Sequence, residues 1–399
     1  MAEDKKLPKG WEWNKVQDVA KLINGYAFKS NLFNEDKKGL PLIRIRDLQN
    51  SKSNTYYSGD YKEDYLVAKG DFLMGMDGEF KIYEWKGEMS LLNQRVCKLT
   101  KFSEKIIPRY IFYLIQESLQ LIEDTTPFVT VKHISSNKIL NIKIPVPPIQ
   151  IQKEIVEILE QAERLNQRRE RANEETSSVI TNIFYEMFGD PTKNDKKFPV
   201  QTLKEVVAND RHSLKRGPFG GSLKKEIFVK DGYKVYEQQH AIKNNFDLGE
   251  YYITKEKYED MLPFAVKEGD ILVSCSGTIG KIAIAPKDVK HGIINQALLK
   301  ITVDRNKILQ IYLKYFLESV TVQRKLFGNA EGSGIKNVAS MDVIKKTQIP
   351  VPPILLQNKF AELVEKVEKI KEHQQKTTNE INTLFDALMQ KAFNGELKV

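Results

Sequence analysis

The sequence predicts an α+β chain built as a tandem duplication, with two similar globular domains, each followed by a long helix of coiled-coil type. Three observations carry this reading. "KIPVPPIQIQKEI" from Lys143 returns as "QIPVPPILLQNKF" from Gln348, 205 residues further on. Other segments ahead of each copy match in the same order. Beyond each copy, apolar residues recur at alternating steps of three and four.

Internal repetition comes first, because it decides the architecture before any local reading does. "VAKGDFLMGMDGEF" at Val67 faces "VKEGDILVSCSGTI" at Val266, and "LLNQRVCKL" at Leu91 faces "IINQALLKI" at Ile293. "RYIFYLI" at Arg109 faces "IYLKYFL" at Ile311; "VKHISSNKILNIKIPVPP" at Val131 faces "IKNVASMDVIKKTQIPVPP" at Ile335, with one residue more in the second copy. The offset creeps from 199 to 205, as happens when insertions fall in loops. So long a unit is a duplicated domain rather than a solenoid repeat. The expected boundaries are 1–143 for the first globule, 144–190 for its PVPP collar and helix, 191–348 for the second globule, and 349–399 for its collar and helix.

Within the globules, "LPLIRIRDL", "GDFLMGM", "GDILVSC" and "GKIAIA" read as strands broken by Gly and Asp turns, while "PRYIFYLIQESLQLI" and "NKILQIYLKYFLESVTVQRKL" read as helices. Each PVPP is extended and stiff, since proline fixes φ and lacks a donor. The helix behind the first is expected from Ile151 to Phe188, roughly 57 Å long. Gly189 and Pro191 supply its stop, and "FNGEL" ends the second helix.

The apolar seam reads Ile155, Ile158, Ala162, Leu165, Arg169, Ala172, Thr176, Val179, Ile183 in the first helix. In the second it reads Phe360, Leu363, Val367, Ile370, Gln374, Thr377, Ile381, Leu384, Leu388. Such spacing over about four heptads marks a coiled-coil seam. Both copies interrupt it at the same rung, with Arg169 and Gln374; either the helices pack on each other there and the polar pair sets register, or the rung lies in solvent. Ile158, Leu165, Arg169, Leu363, Ile370 and Gln374 are the candidates for helix–helix or partner contact.

Composition narrows the function. The net charge of +9 is uneven: residues 151–190 carry −4 and 357–399 are neutral, so the globules hold the whole positive excess, +13. That is where a polyanion would bind. Cys97 and Cys275 have no CxxC company and read as reduced core thiols. The five histidines show no metal-ligand spacing. "SCSGTIGKI" at Ser274 lacks the spacing and the Ser or Thr of a phosphate loop; no nucleophile elbow, nuclease carboxylate cluster or amino-methylation segment appears. No apolar run approaches a membrane span and the start is charged, which predicts a soluble cytoplasmic protein. The chain reads as a binding protein without catalytic, metal or cofactor chemistry of its own.

Taken together, "KGDFLMGMDGEF" with "LLNQRV", "GDILVSCSGTIGK" with "INQALL", "GPFGGSL" at Gly217, "KVYEQQHAI" at Lys234, "GSGIKNV" at Gly332 and both "IPVPPI" segments resemble the DNA-specificity subunit of Type I restriction-modification systems, over almost the whole chain. The resemblance implies two target-recognition domains, each reading one half of a bipartite site in double-stranded DNA, and two antiparallel helices related by a pseudo-twofold axis. Those helices would set the half-site spacing and dock two methyltransferase subunits, which would hold S-adenosylmethionine; a restriction and translocase subunit can join. The first copy departs from the pattern, with "MDGEFKIYEW" where the second has "CSGTIGKIAI", so the two half-sites are expected to differ.

Base readout favours Arg, Lys, Asn and Gln on loops, and phosphate contacts favour cations and amides beside glycine. In the first globule the candidates are Arg44, Arg46, Asp77, Glu79, Lys81 and Lys132, with alternation placing Arg44 and Arg46 on one strand face. In the second they are Lys215, Arg216, Ser222, Gln238, Gln239, His240, Ser276, Thr278, Lys281 and Lys336. The bland alternatives are a solvated strand face for the arginines and a plain surface turn for "RGPFGGSLKKE". Asn93-Gln94 and Asn295-Gln296 recur in both halves and read as fold-supporting. The competing reading of the whole chain is a coiled-coil scaffold whose globules bind proteins.

Overall fold

The computed structural model describes residues 7–125, 133–327 and 339–397. It divides into two compact units, Met1–Glu170 with Lys376–Val399, and Arg171–Gln375.

In the first unit a four-stranded antiparallel sheet runs in the order Lys21–Asn24, Val96–Thr100, Phe72–Gly75, Ile82–Glu84. Helix Pro108–Thr125 supplies Tyr110, Ile111, Leu114 and Leu119 to the core beside the sheet's Phe72, Met74, Cys97 and Leu99. A second sheet pairs Leu40–Ile43 parallel to Ser90–Leu92. The second unit repeats this plan. Its antiparallel sheet runs Leu214–Arg216, Leu298–Ile301, Ile271–Ser274, Ile282–Ile284, and Tyr233–Tyr236 lies parallel to Gly292–Ile294.

The repeated Gly-Asp is a structural device. Asp71 Oδ2 accepts from Ala68 N and lies 3.3 Å from Lys98 Nζ, whose other partner is the Leu66 carbonyl at 2.6 Å. In the second unit Asp270 accepts from Lys267 N, and Lys300 Nζ donates to the Ala265 carbonyl at 2.6 Å. Burial pushes the Asp270 carboxyl up and the Lys300 ammonium down, because each charge is costly away from water.

Two local expectations are revised. "LPLIRIRDL" is a strand only over Leu40–Ile43; Ile45–Asp47 turns into a 3-10 helix, so Arg44 and Arg46 do not share a strand face. The reason is that Asp47 reaches back to accept from Arg44 N at 2.9 Å, a side-chain bond that competes with sheet pairing. The helix expected across "NKILQIYLKYFLESVTVQRKL" breaks at Ser319, whose ψ of 140° is extended, into Gln310–Glu318 and Val320–Phe327. The start of each PVPP collar is extended, as its prolines predict, and each is paired into a two-stranded sheet. Lys143–Val146 pairs antiparallel with Glu12–Lys15, and Gln348–Pro350 with Val200–Thr202.

Directly behind each collar a 40-residue helix begins, Ile149–Phe188 and Ile354–Phe393, each about 60 Å long. In the second unit Phe360, near the start of the second long helix, lies against Phe184 and Phe188 at the end of the first, at ring distances of 5.6 and 5.3 Å. The helices are therefore antiparallel. In the first unit Ile155 and Leu159 share a core with Met389, Ala392 and Phe393. The seam runs one residue later than the spacing suggested at alternate rungs: Leu159, Ile180 and Val364 are buried, whereas Leu165, Val179, Ile370 and Leu384 are 51%, 37%, 51% and 55% exposed. Apolar residues at both i+3 and i+4 of Ile155 and of Phe360 made the two phases indistinguishable from spacing alone. At the polar rung Gln374 Nε2 donates to Thr176 Oγ1 across the two helices at 3.0 Å, while Arg169 is half-buried.

Candidate nucleic-acid interface

In the second unit, strands Leu214–Arg216 and Ile271–Ser274 both run antiparallel to Leu298–Ile301, so both leave the sheet at one edge. The loops that follow them therefore emerge together, beside the Asn295–Ala297 turn. Gly217 is required there, since a Cβ would collide with the Asn295 carbonyl. Gly277 and Gly280 hold positive φ in the other loop. That loop is braced: Ser274 Oγ donates to the Thr278 carbonyl and accepts from Lys281 N, and Gln323 Nε2 donates to the Gly280 carbonyl at 3.0 Å.

Strand Tyr233–Tyr236 leaves its sheet beside Ile294 and feeds helix Gln238–Lys243 toward the same edge. The Gln238 amide there lies against Gly277. Arg216, Ser222, Ser276, Thr278 and Lys281 are exposed on these segments, and Gln238 and Gln239 are half-buried. Gln239 Nε2 donates to Glu237 Oε2, whereas the buried Oε1 of Gln238 has no partner among the described residues. Lys215 is half-buried with its ammonium 5.1 Å from the Phe264 ring.

His240 leaves the set of DNA-contact candidates. It is fully buried; its Nδ1 accepts from Glu237 N and its Nε2 donates to the Leu248 carbonyl at 2.6 Å, so both ring nitrogens are spent on the fold. Lys132 and Lys336 lie outside the described residues.

The first unit gathers the equivalent edge from Lys21–Asn24, Phe72–Gly75 and the Asn93–Arg95 turn. Gly25 faces the Asn93 carbonyl as Gly217 faces Asn295. Arg44 is half-buried with its guanidinium 5.4 Å from the Phe33 ring, and Arg46 is exposed beside Asp47. Their segment touches strand Phe72–Gly75, since Ile45 lies against Gly75. Lys81 Nζ lies 2.7 Å from Glu79, which holds the Glu79 carboxyl below and the Lys81 ammonium above their usual ranges. Asp77 Oδ1 lies 2.6 Å from His133 Nδ1, and its Oδ2 lies 3.5 Å from Arg95 Nε.

Several features escaped the sequence reading. Arg44–Asp47 and Glu237–His240 are equivalent: each follows a strand that runs parallel to a partner, and in each the fourth residue caps the first. The shared signal, a capping residue four positions after the strand's last residue, is too short to detect without the fold. Exposed Arg95 and Phe219, the latter 93% exposed between Arg216 and Lys224-Lys225, were also passed over. The Asn-Gln pairs divide: Asn295 Oδ1 accepts from Ala297 N and Asn93 is buried, but Gln94 and Gln296 are exposed. Among the described residues no cluster of His, Cys, Asp and Glu could hold a metal ion, and no helix is long and apolar enough to cross a membrane.

Two like units, each ending in a glycine-bearing loop edge rich in cations and amides and each tied to a long helix, define a duplicated nucleic-acid-recognition protein. The family described as Type I restriction modification DNA specificity domain matches twice, over residues 8–175 and 218–383. The chain belongs to that family. It is 30% identical over 97% of its length to the Type I restriction enzyme EcoBI specificity subunit of Escherichia coli, covering 86% of that protein. Against the putative type I restriction enzyme MjaX specificity subunit of Methanocaldococcus jannaschii it is 24% identical, over 98% of this chain and 95% of the other. Its fold resembles a chain solved in work on complex assembly and conformational transition of the type I R-M system, at 17% identity and a TM-score of 0.61, covering 98% of this chain and 100% of that one. The S subunit of the Type-I restriction-modification system from M. genitalium gives 14% identity and a TM-score of 0.50, covering 98% and 97%.

Proposed function

We propose that this chain is the specificity subunit of a Type I restriction-modification complex: it recognises a bipartite DNA sequence and performs no catalysis itself. Residues 1–143 and 191–348 are assigned as target-recognition domains and 144–190 and 349–399 as collar and spacer helix. The observation that supports it is the repeated loop edge, whose adjoining segments carry Arg44, Arg46, Asp77 and Lys81 in one unit and Arg216, Ser222, Gln238, Ser276, Thr278 and Lys281 in the other. Because the side chains at equivalent positions differ, each edge reads its own half-site. Glycine-flanked cations hold phosphates, while amides and guanidinium groups meet base edges.

The spacer helices set how many base pairs go unread, since a 40-residue helix is rigid over about 60 Å. They also dock the methyltransferase subunits, through apolar side chains that the seam leaves exposed: Leu165 and Leu384 in the first unit, Val179 and Ile370 in the second. Two equivalent patches fit two partner subunits. S-adenosylmethionine and adenine methylation belong to those partners, and the place of work is the cytoplasm, where the DNA is.

Footprinting of the chain assembled with its methyltransferase subunits tests the reading. Two short protected motifs separated by unread bases are expected, with affinity falling steeply as salt rises. A single continuous site, or binding indifferent to salt, would overturn it.

A further inference from the structure

We infer that Arg95 reads a guanine in the half-site bound by the first unit, and that Asp77 is the positioning residue that aims it. This rests on the DNA-recognition reading above. Arg95 occupies the turn between Ser90–Leu92 and Val96–Thr100 with φ +74°, a left-handed conformation that an L-residue other than Asn or Asp rarely holds. The turn is pinned in place: the Arg95 carbonyl accepts from Met76 N at 2.9 Å and the Asn93 carbonyl from Val96 N at 3.2 Å. Strain held this firmly at a surface turn points to a use for the side chain.

That side chain is 60% exposed, and its inner nitrogen is the one that faces a carboxylate, in a long ion pair. Nε lies 3.5 Å from Asp77 Oδ2, while the other carboxylate oxygen is 2.6 Å from His133 Nδ1. Backbone pairing of Asp77 with His133, and the bond from Ile134 N to the Met76 carbonyl, hold the carboxylate from behind. With Nε drawn toward Asp77, the two terminal nitrogens form the outer end of the guanidinium as a planar fork. Guanine is the base whose major-groove edge offers two adjacent acceptors, O6 and N7, matched to that fork. A phosphate is the poorer partner, because the Asp77 carboxylate beside it would repel a second anion.

The second unit has Ala297 where the first has Arg95, in the matched segments "INQALL" and "LNQRVC". The contact is therefore private to one half-site and contributes to the asymmetry of the target.

Selection from a duplex library randomised across both half-sites, using the full chain assembled with its methyltransferase subunits, tests this. The wild type is expected to select a guanine at one position of the first half-site. Arg95→Ala should lower the preference for that base about 5- to 150-fold, the range for one bidentate base contact, and leave the second half-site unchanged. Arg95→Gly accepts positive φ without strain and should behave the same, which separates loss of the fork from misfolding of the turn. Asp77→Asn should relax the same position and no other. Unaltered base preferences in both Arg95 variants, or a loss of affinity equal across all sequences, would overturn the assignment to guanine while leaving DNA recognition intact. Failure of the wild type to select any split sequence would overturn the functional reading, and this inference with it.

Discussion

Gln152 and Gln357, 205 residues apart and both fully buried, make the same bonds in their two units. Each Oε1 accepts from a backbone N–H just ahead of the core helix, Ile107 at 2.8 Å and Leu309 at 2.7 Å. Each Nε2 donates to the first carbonyl of the collar's proline pair, Pro147 at 2.8 Å and Pro352 at 2.7 Å. A tyrosine completes the joint, with Tyr110 donating to the Pro145 carbonyl and Tyr312 to the Pro350 carbonyl. The amide thus ties globule, collar and long helix together at one point, which explains why this stretch recurs in strict register.

Replacing Gln152 or Gln357 with Leu should cost about 1–3 kcal/mol in the unit concerned, because a buried N–H and a buried carbonyl lose their partner. Chemical denaturation followed separately for the two units should show one transition shifted and the other unmoved.

Cys97 and Cys275 should resist thiol reagents at neutral pH. Burial pushes their thiols up to about 12 and about 11, so almost no thiolate is present to react. Labelling with a chromogenic disulfide should count no reactive thiol in the folded chain and two after denaturation; fast labelling of either would contradict the packing.

Leu165→Asp combined with Ile370→Asp should abolish co-purification with the methyltransferase subunits and change stability by no more than about 0.5 kcal/mol, since both side chains are half in solvent. Leu159→Asp should instead unfold the helix pair, because it buries a carboxylate in the seam. Equal loss of folding in both variants would rule out a docking role for the exposed stripe.

Arg216→Ala or Lys281→Ala should weaken DNA binding about equally for every sequence and lower the salt slope by about 1 each. Phe219→Ala should weaken it with little change in the salt slope, because an exposed uncharged ring that packs on the duplex surface releases no counterion. Titration at several salt concentrations separates the two effects.

Sequence spacing located the duplication, the collars, the strands "GDFLMGM", "GDILVSC" and "GKIAIA", and the end of the first long helix at Phe188, because all of these are written locally in turn residues and periodicity. It was less able to place the side chains of the candidate contact residues. Arg44 and Arg46 alternate as on a strand, but the Asp47 carboxylate, three residues on, captured the backbone. His240 carries the chemistry of a base reader, but a carbonyl eight residues away, that of Leu248, claims its ring.

Family, duplication and the division between helix and globule thus stand in the sequence alone, since they rest on short-range patterns repeated in order. The phase of the helix seam and the company of each loop side chain were decided only by the tertiary structure. Apolar residues at both i+3 and i+4 let either stripe face inward until the partner helix selects one. Arg95 and Asp77, 18 positions apart along the chain, become neighbours only when strands Phe72–Gly75 and Val96–Thr100 pair.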